Sequence, residues 1–302
     1  MKKSLLLSFS LSSLVLFACQ PMVEQAGPAE YKSHNGESEQ EERVIATTVS
    51  TTELADALEL ELVGIPTSYK DLPTRYEGVT EIGNPMSPDM ESIRSLQPDS
   101  VWSVTTLQVD LEDPFLQAGV DADFLDLQSV ESMINEILQM GEAYDRREQA
   151  TSLIDSFTEK IEQVENEIKG LQPPSVLILM GVPGSYLVAT EHSYIGDLVR
   201  LAGGINVIQG ENEAEYLASN TEYLQQANPD VILRAAHGMP REVIDMFDEE
   251  FQTNDIWKHF NAVKTDRVYD LEELLFGTTG NIAVVEALDE LQKMLYPRNE
   301  SK

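Results

Sequence analysis

The sequence predicts an α/β protein made of two lobes that are joined by a single long helix. Three observations lead to this prediction. Short apolar segments rich in β-branched residues alternate with helical segments in each half of the chain, a pattern typical of lobes built on a mostly parallel sheet. One helical segment between the halves is longer than a small lobe needs. A similar helix–Pro-Asp–strand unit occurs in both halves.

The N-terminus resembles a lipoprotein signal peptide, which is predicted over residues 1–18. Two lysines precede an apolar stretch, residues 4–17, that is too short to cross a bilayer comfortably. Small Ala18 then precedes Cys19, the one cysteine of the sequence, which therefore has no partner for an internal disulfide. Leu-Phe-Ala-Cys at 16–19 resembles a lipobox. We expect Cys19 to carry a palmitate-type lipid that anchors the protein at the outer face of the cell membrane.

Residues 19–42 are predicted to form a disordered tether, because they are rich in acids, Gly, Pro and Ser and have hardly any large apolar side chains. The whole chain has a formal charge of −33, from 20 basic and 53 acidic residues. Such an acidic surface repels phosphate backbones, which argues against nucleic-acid binding. A hydrophobic content of 42% is sufficient for a real core.

The first lobe is predicted over residues 43–140. A β-rich segment opens it, and a capping box around Ser50 and Glu53 is expected to start the helix that follows. That helix should end near Gly64. Strands are expected at residues 43–49, 79–82, 101–104 and 124–127.

The linking helix is predicted over residues 145–170. Asp145 is expected to be its N-cap, with Glu148 at the third helical position, and apolar residues recur at helical spacing through the segment. Gly170 and two prolines that follow should end it. At 1.5 Å per residue the helix would be about 36 Å long.

The second lobe is predicted over residues 174–297, with a closing amphipathic helix near 282–295 and strands at 176–180, 231–233 and 268–269. It repeats a unit of the first lobe. Ser-Pro-Asp-Met-Glu leads to Pro98-Asp99 in one half, and Ser-Asn-Thr-Glu leads to Pro229-Asp230 in the other, with seven residues from Glu to Pro each time. The repeat predicts a pseudo-symmetric clamp, although Pro-Asp is also common turn material.

Three motifs carry a resemblance to a known family: Pro-Asp-Met-Glu at 88–91, Leu-Ala-Gly-Gly-Ile-Asn-Val at 201–207 and Asn-Pro-Asp-Val-Ile at 228–232. With them, residues 44–295 resemble the helical-backbone substrate-binding proteins of ABC importers, which take up iron-siderophores, haem and cobalamin. The resemblance implies that the chain acts as a monomer with an ABC permease and its ATPase as partners.

In this family a glutamate at the top of each lobe docks onto arginines of the permease. The matching positions here are Glu91 and Glu222. Each is predicted near a helix N-terminus, where the helix dipole favours a carboxylate. For both glutamates a plain solvated or capping role stays the alternative.

Two side chains are candidate metal ligands. His237 follows the apolar strand 231–233, and ligands of open α/β sheets collect beyond the carboxyl ends of strands. Met86 holds the corresponding place in the first lobe, and a thioether is a known axial ligand of haem iron. Met90 is the rival to Met86. His192, ahead of another helix, is a further candidate.

Within the family, the sequence is similar to the haem-receptor lipoproteins of iron-regulated surface determinant uptake systems. That similarity implies haem as the transported ligand, its iron held by Met86 and His237, and haem-donating surface proteins as partners. It also implies that the haem propionates meet backbone N–H groups at a helix start and a Tyr-Lys pair. The corresponding residues are Val49, Ser50, Ser68, Tyr69 and Lys70.

Other functions are weighed against this one. A ferric-siderophore or cobalamin-like receptor would place Arg234 and Trp102 in the cleft. The sequence has only four histidines. This number argues against a zinc or manganese receptor, because such receptors normally bind one ion through several histidine and carboxylate ligands. The sequence lacks a Gly-x-Ser-x-Gly elbow, a phosphate-cradling glycine loop and a Cys/His nucleophile pair. We therefore expect that the protein is not an enzyme.

Overall fold

The computed structural model describes residues 42–209, 214–219, 224 and 226–297. The predicted signal peptide, the tether up to residue 41, the lipidation site Cys19 and the docking candidate Glu222 lie outside the described residues. Within the described ranges, no helix is both long enough and apolar enough to cross a membrane.

The first lobe contains a five-stranded parallel sheet with the order β3-β2-β1-β6-β7, and a separate two-stranded hairpin, β4-β5. Its strands are β1 (Val44–Ala46), β2 (Leu62–Ile65), β3 (Thr80–Glu81), β4 (Gly83–Asn84), β5 (Ser87–Pro88), β6 (Ser100–Val104) and β7 (Ala122–Leu125). The α-helices of the first half are α1 (Val49–Ala57), α2 (Met90–Ser95), α3 (Gln108–Ala118), α4 (Val130–Ala143) and α5 (Arg147–Ile168).

The second lobe contains a mixed sheet with the order β11-β9-β8-β12-β13, in which short β10 also pairs with β8. Its strands are β8 (Ser175–Val182), β9 (Ser185–Ala189), β10 (Ile205–Asn206), β11 (Tyr216–Ala218), β12 (Val231–Ala236) and β13 (Val268–Asp270). Its α-helices among the described residues are α6 (Tyr194–Leu201), α7 (Pro240–Thr253), α8 (Asn261–Lys264) and α9 (Val284–Leu295). Single 3-10 turns occupy Thr74–Tyr76, Thr105–Leu107 and Trp257–His259.

The central strands are buried on both faces, which explains why they are continuous apolar runs in the sequence. All three residues of β1 are at most 2% exposed, and Val231 to Leu233 in β12 are fully buried. The strands β9 and β11, which pair antiparallel, were not predicted. Pro183-Gly184, between two apolar segments, was the available signal for the turn that joins β8 to β9.

Helix α1 begins earlier than predicted, and the expected capping box around Ser50 and Glu53 is wrong. The expected end near Gly64 is also wrong, because α1 ends at Ala57 and Gly64 lies in β2. Thr48 is the N-cap: its hydroxyl accepts the Thr51 N–H at 3.2 Å, and the Thr51 hydroxyl accepts the Thr48 N–H at 3.2 Å. The cap sits at Thr48 because β1 stops at Ala46 and the chain turns at once into the helix. As a result, Ser50 lies in the first turn of α1.

Helix α5 has 22 residues, about 33 Å at 1.5 Å per residue, and lies between the two sheets in the chain. The expectation that Asp145 is the N-cap of α5 is wrong. Its backbone has a φ of +53°, and Arg146 occupies the N-cap position without a side-chain cap. Ala150, Phe157 and Val164 form one buried stripe along the helix. Around them the core is continuous from β1 in the first lobe to β8 in the second.

The Pro-Asp repeat has the same local structure in both lobes. The residues before the prolines, Gln97 and Asn228, both have positive φ angles, +46° and +41°. Asp99 accepts the Arg43 backbone N–H at 2.9 Å, and Asp230 accepts the Ser175 backbone N–H at 2.9 Å. In each lobe the aspartate therefore fixes the start of a central strand, which supports a common structural unit.

Candidate ligand-binding cleft

A cleft of about 410 Å³ lies between the two lobes, a volume within the usual range for small-molecule sites. Its walls are segments that follow the carboxyl ends of strands in both sheets, where ligands of α/β proteins collect. The residues that line it are Thr48, Val49, Ser50, Glu53, Thr67, Ser68, Tyr69, Lys70, Asn84, Pro85, Met86, Val104, Thr106, Leu107, His237, Leu274, Gly277, Thr278, Thr279 and Asn281.

The cleft brings together all seven predicted ligand-binding residues. Those of the first lobe lie at the start of α1, after β2 and in the β4-β5 hairpin, and the one of the second lobe follows β12. The seven residues are Val49, Ser50, Ser68, Tyr69, Lys70, Met86 and His237.

Met86 is at the turn of the β4-β5 hairpin, where its backbone N–H donates to the Asn84 side-chain oxygen at 2.8 Å. Met86 is 68% exposed and belongs to none of the hydrophobic clusters found among the described residues. The rival Met90 differs in both respects. It is the first residue of α2, packs against a core cluster of the first lobe and is not among the residues that line the cleft.

His237 leaves the end of β12 with its backbone N–H bonded to the Gly181 carbonyl at 2.9 Å. The next two residues, Gly238 and Met239, both have positive φ, so the chain turns sharply and leaves the imidazole accessible in the cleft. The cleft walls still remove much of the ring's hydration, and this desolvation lowers the pKa of His237 below its ordinary value. A neutral imidazole is the form that binds metals.

The other histidines among the described residues lie elsewhere. His192 is not part of the cleft lining, and its Nε2 atom is 3.6 Å from the Glu191 carboxylate. His259 is exposed in the 3-10 turn Trp257–His259. The structure therefore supports His237 over His192 as the histidine of the site.

The start of α1 forms one wall of the cleft through Val49 and Ser50. The first N–H groups of a helix have no acceptor within the helix and attract anions. The Ser50 hydroxyl also lies 3.2 Å from the Thr279 hydroxyl of the second lobe. Glu53, one turn further along, is half-buried in the same wall, and this burial raises the pKa of its carboxyl group.

Tyr69 and Lys70 belong to the loop after β2 and meet a carboxylate that sequence reasoning missed. The Tyr69 hydroxyl donates a hydrogen bond to Glu273 Oε1, and the Lys70 Nζ atom lies 3.6 Å from the same oxygen. Desolvation and the Glu273 carboxylate together raise the pKa of Tyr69 well above its usual value. The adjacent Glu272 is exposed, so nothing in Leu-Glu-Glu-Leu indicates which glutamate turns inward.

Arg234 and Trp102, the residues expected in a siderophore site, are core residues and do not line the cleft. The Arg234 guanidinium is 8% exposed, makes two 2.6 Å hydrogen bonds to Asp270 and lies 5.6 Å from the Phe247 ring centroid. Trp102 is fully buried and packs edge-on against Tyr144, which lies at the C-terminal end of α4. Burial of both side chains removes the specific support for a siderophore site.

The docking candidate Glu91 lies exposed in the first turn of α2. The N-cap of that helix is Asp89, which accepts the backbone N–H groups of Glu91 at 3.0 Å and Ser92 at 3.1 Å. Glu91 therefore has its carboxylate at a helix N-terminus on the surface, as predicted.

Two α/β lobes that share a core and enclose a cleft at the carboxyl ends of their strands define a two-lobed ligand-binding protein. Residues 44–274 match the periplasmic binding protein family, and the chain belongs to that family. It is 45% identical over 287 residues to the high-affinity heme uptake system protein IsdE of Staphylococcus aureus, an alignment that covers 95% of each sequence.

Solved structures agree with this assignment. The crystal structure of S. aureus IsdE complexed with heme is 48% identical, with a TM-score of 0.81 over 85% of this chain and 100% of that one. An ABC transporter substrate-binding protein from Listeria monocytogenes is 60% identical, with a TM-score of 0.80 over 85% of this chain and 99% of that one. The relatives are thus substrate-binding and uptake proteins.

Proposed function

We propose that the protein is an extracytoplasmic receptor that binds haem and delivers it to an ABC permease for iron acquisition. The observation that carries this proposal is the cleft itself, which presents an exposed thioether from the first lobe and an accessible imidazole from the second. The similarity to IsdE, whose crystal structure contains heme, supports the same ligand.

In this proposal Met86 and His237 hold the haem iron from opposite sides. One ligand comes from each lobe, so the flat ring would lie between them. The lowered pKa of His237 supports this role, because the ring stays neutral and free to coordinate iron at neutral pH. Thioether–imidazole ligation raises the reduction potential of haem iron.

The haem propionates would meet the polar side of the cleft. Val49 and Ser50 offer backbone N–H groups at the start of α1, and Ser68, Tyr69 and Lys70 offer side-chain donors and a positive charge. Leu107 and Leu274 supply apolar surface for the ring. The cleft thus combines an apolar wall with donors for anions, which is what an amphiphilic dicarboxylate ring requires.

The docking glutamates and the lipid anchor would serve the delivery of haem to the permease. Glu91 and Glu222 would dock the receptor on arginines of the permease, whose ATPase drives uptake, and a lipid on Cys19 would hold the monomer at the outer face of the membrane. Surface proteins would donate the haem. Catalysis is not part of this proposal, because the relatives named above are uptake and substrate-binding proteins.

Thermal unfolding of the full-length chain with two candidate ligands tests the proposal. A ligand that binds only the folded protein stabilises it by about 2.7 kcal/mol at a hundredfold excess over its Kd. We expect ferric haem to raise the unfolding temperature in a concentration-dependent way and a ferric hydroxamate siderophore to leave it unchanged. Stabilisation by the siderophore and not by haem would overturn the proposal.

A further inference from the structure

Glu273 connects the two lobes through a single carboxylate oxygen. Its Oε1 atom accepts the Tyr69 hydroxyl from the first lobe and the Gly238 backbone N–H of the second lobe at 3.0 Å. Lys70 lies 3.6 Å away, and the Glu273 side chain is only 7% exposed. This carboxylate lies behind the cleft lining and engages two of the lining residues from there.

The two residues that Glu273 engages are donors that an anionic ligand would need. Among the described residues that line the cleft, Lys70 is the one with a permanent positive charge. A tyrosine hydroxyl has one proton and donates one hydrogen bond, and that of Tyr69 is given to Glu273. Two carboxylates that share one ammonium group repel each other where water is partly excluded.

On the basis of the haem-binding function above, we propose that Glu273 sets how strongly the cleft holds a ligand carboxylate. It does so by competing with that carboxylate for Tyr69 and Lys70. A propionate gains the full strength of these donors only when Glu273 releases them. Glu273 is therefore a specificity-determining residue of the site, although it does not line the cleft.

The test compares two ligands that differ only in their carboxylates, ferric haem and its dimethyl ester, bound to the full-length chain and to its Glu273→Gln variant at pH 8. The amide keeps the shape of the side chain and removes its charge. We expect the affinity for haem to rise about tenfold, the effect of one charge-assisted hydrogen bond, and the affinity for the ester to stay unchanged. Glu272→Gln, which removes the adjacent exposed charge, is the control and should change neither affinity.

The outcomes separate the proposal from a merely structural role. Equal changes for both ligands, or weaker haem binding, would overturn the competition. Should Glu273→Gln not fold, Glu273→Asp, which keeps the charge but shortens the side chain, should give a smaller gain for haem alone. Absence of saturable haem binding to the unmodified chain would instead contradict the proposed function.

The contact on which the competition depends is tested without haem. Thermal unfolding of Tyr69→Phe, Glu273→Gln and the double variant forms a double-mutant cycle. We expect the fall in unfolding temperature of the double variant to be smaller than the two single effects combined, because Tyr69→Phe removes the hydrogen bond that Glu273→Gln weakens by removing the charge of its acceptor. Additive effects, as expected for Tyr69→Phe with Glu272→Gln, would show that Tyr69 and Glu273 are not coupled and would refute the inference.

Discussion

The hydroxyl oxygens of Ser50 and Thr279 lie 3.2 Å apart, and this hydrogen bond joins the first turn of α1 to the loop after β13. A second contact between the lobes is the 2.7 Å hydrogen bond from the Gly280 N–H to the Leu127 carbonyl. Beneath both contacts, one hydrophobic cluster extends through both lobes. The lobes are thus held together by side chains, backbone and core as well as by α5.

A clamp built in this way should change little in shape when it binds its ligand. A large closure would have to shear a close-packed core, in which small displacements already lose contacts. We expect the radius of gyration from small-angle scattering to agree within error for the full-length chain with and without ferric haem. A clear compaction on binding would contradict the rigid clamp.

Haem affinity should depend on pH through His237. Desolvation in the cleft lowers the pKa of this imidazole below about 6.5, although the Glu273 charge opposes the shift. Because only the neutral ring binds iron and the lowered pKa keeps it neutral to more acidic pH, affinity should be constant from pH 8 to about 6.5. Below the pKa it should fall, by up to about tenfold per pH unit. His192→Ala should leave this profile unchanged, whereas a loss that begins well above pH 6.5 would argue against His237.

Arg234 should matter for stability rather than for ligand binding. Arg234→Met leaves Asp270 and Asp248 without their buried partner. Both carboxylates keep some exposure, so the free energy of unfolding should fall by about 2 kcal/mol, less than for a fully buried pair. Urea denaturation measures the loss, and Arg241→Met, at an exposed position of α7, is the control. Unchanged stability together with weakened haem binding would contradict this account and indicate that Arg234 takes part in ligand binding.

If Glu91 and Glu222 dock the receptor on the permease, substitutions at these positions should impair haem uptake without changing haem binding. Charge reversal of both glutamates to lysine should abolish haem uptake by cells, because lysines would face the permease arginines. Haem affinity of the purified protein should stay unchanged, since Glu91 is exposed and does not line the cleft. Glu131→Lys, an exposed glutamate in the first turn of α4, is the matched control. Normal uptake by the doubly reversed variant would rule out docking at these positions.

The two-lobed fold and the cleft could be predicted because they depend on local patterns. The apolar run of β12 marks the strand, and the candidate ligand His237 follows directly where the strand ends and lines the cleft. Met86 is flanked by prolines that keep it in a tight hairpin rather than a core. These features follow from short segments of sequence and from the geometry of parallel sheets.

The features that the sequence did not reveal depend on tertiary contacts. Thr48 and Ser50 are both good caps, and the end of β1 decides between them. Arg234 is a polar residue in an apolar strand, but only packing shows that its charge meets Asp270 inside the second lobe. Glu273 turns inward because Tyr69 and a backbone N–H converge on it from the two lobes.

The most direct test of the haem-receptor assignment is an absorbance titration of the full-length chain with ferric haem, repeated for Met86→Ala, His237→Ala and Met90→Ala. We expect saturable one-to-one binding with a low-spin six-coordinate spectrum. That spectrum should be lost in the Met86 and His237 variants and kept in the Met90 variant. Absence of saturable binding, or an unchanged spectrum in either the Met86 or the His237 variant, would contradict ligation of the iron by these two residues.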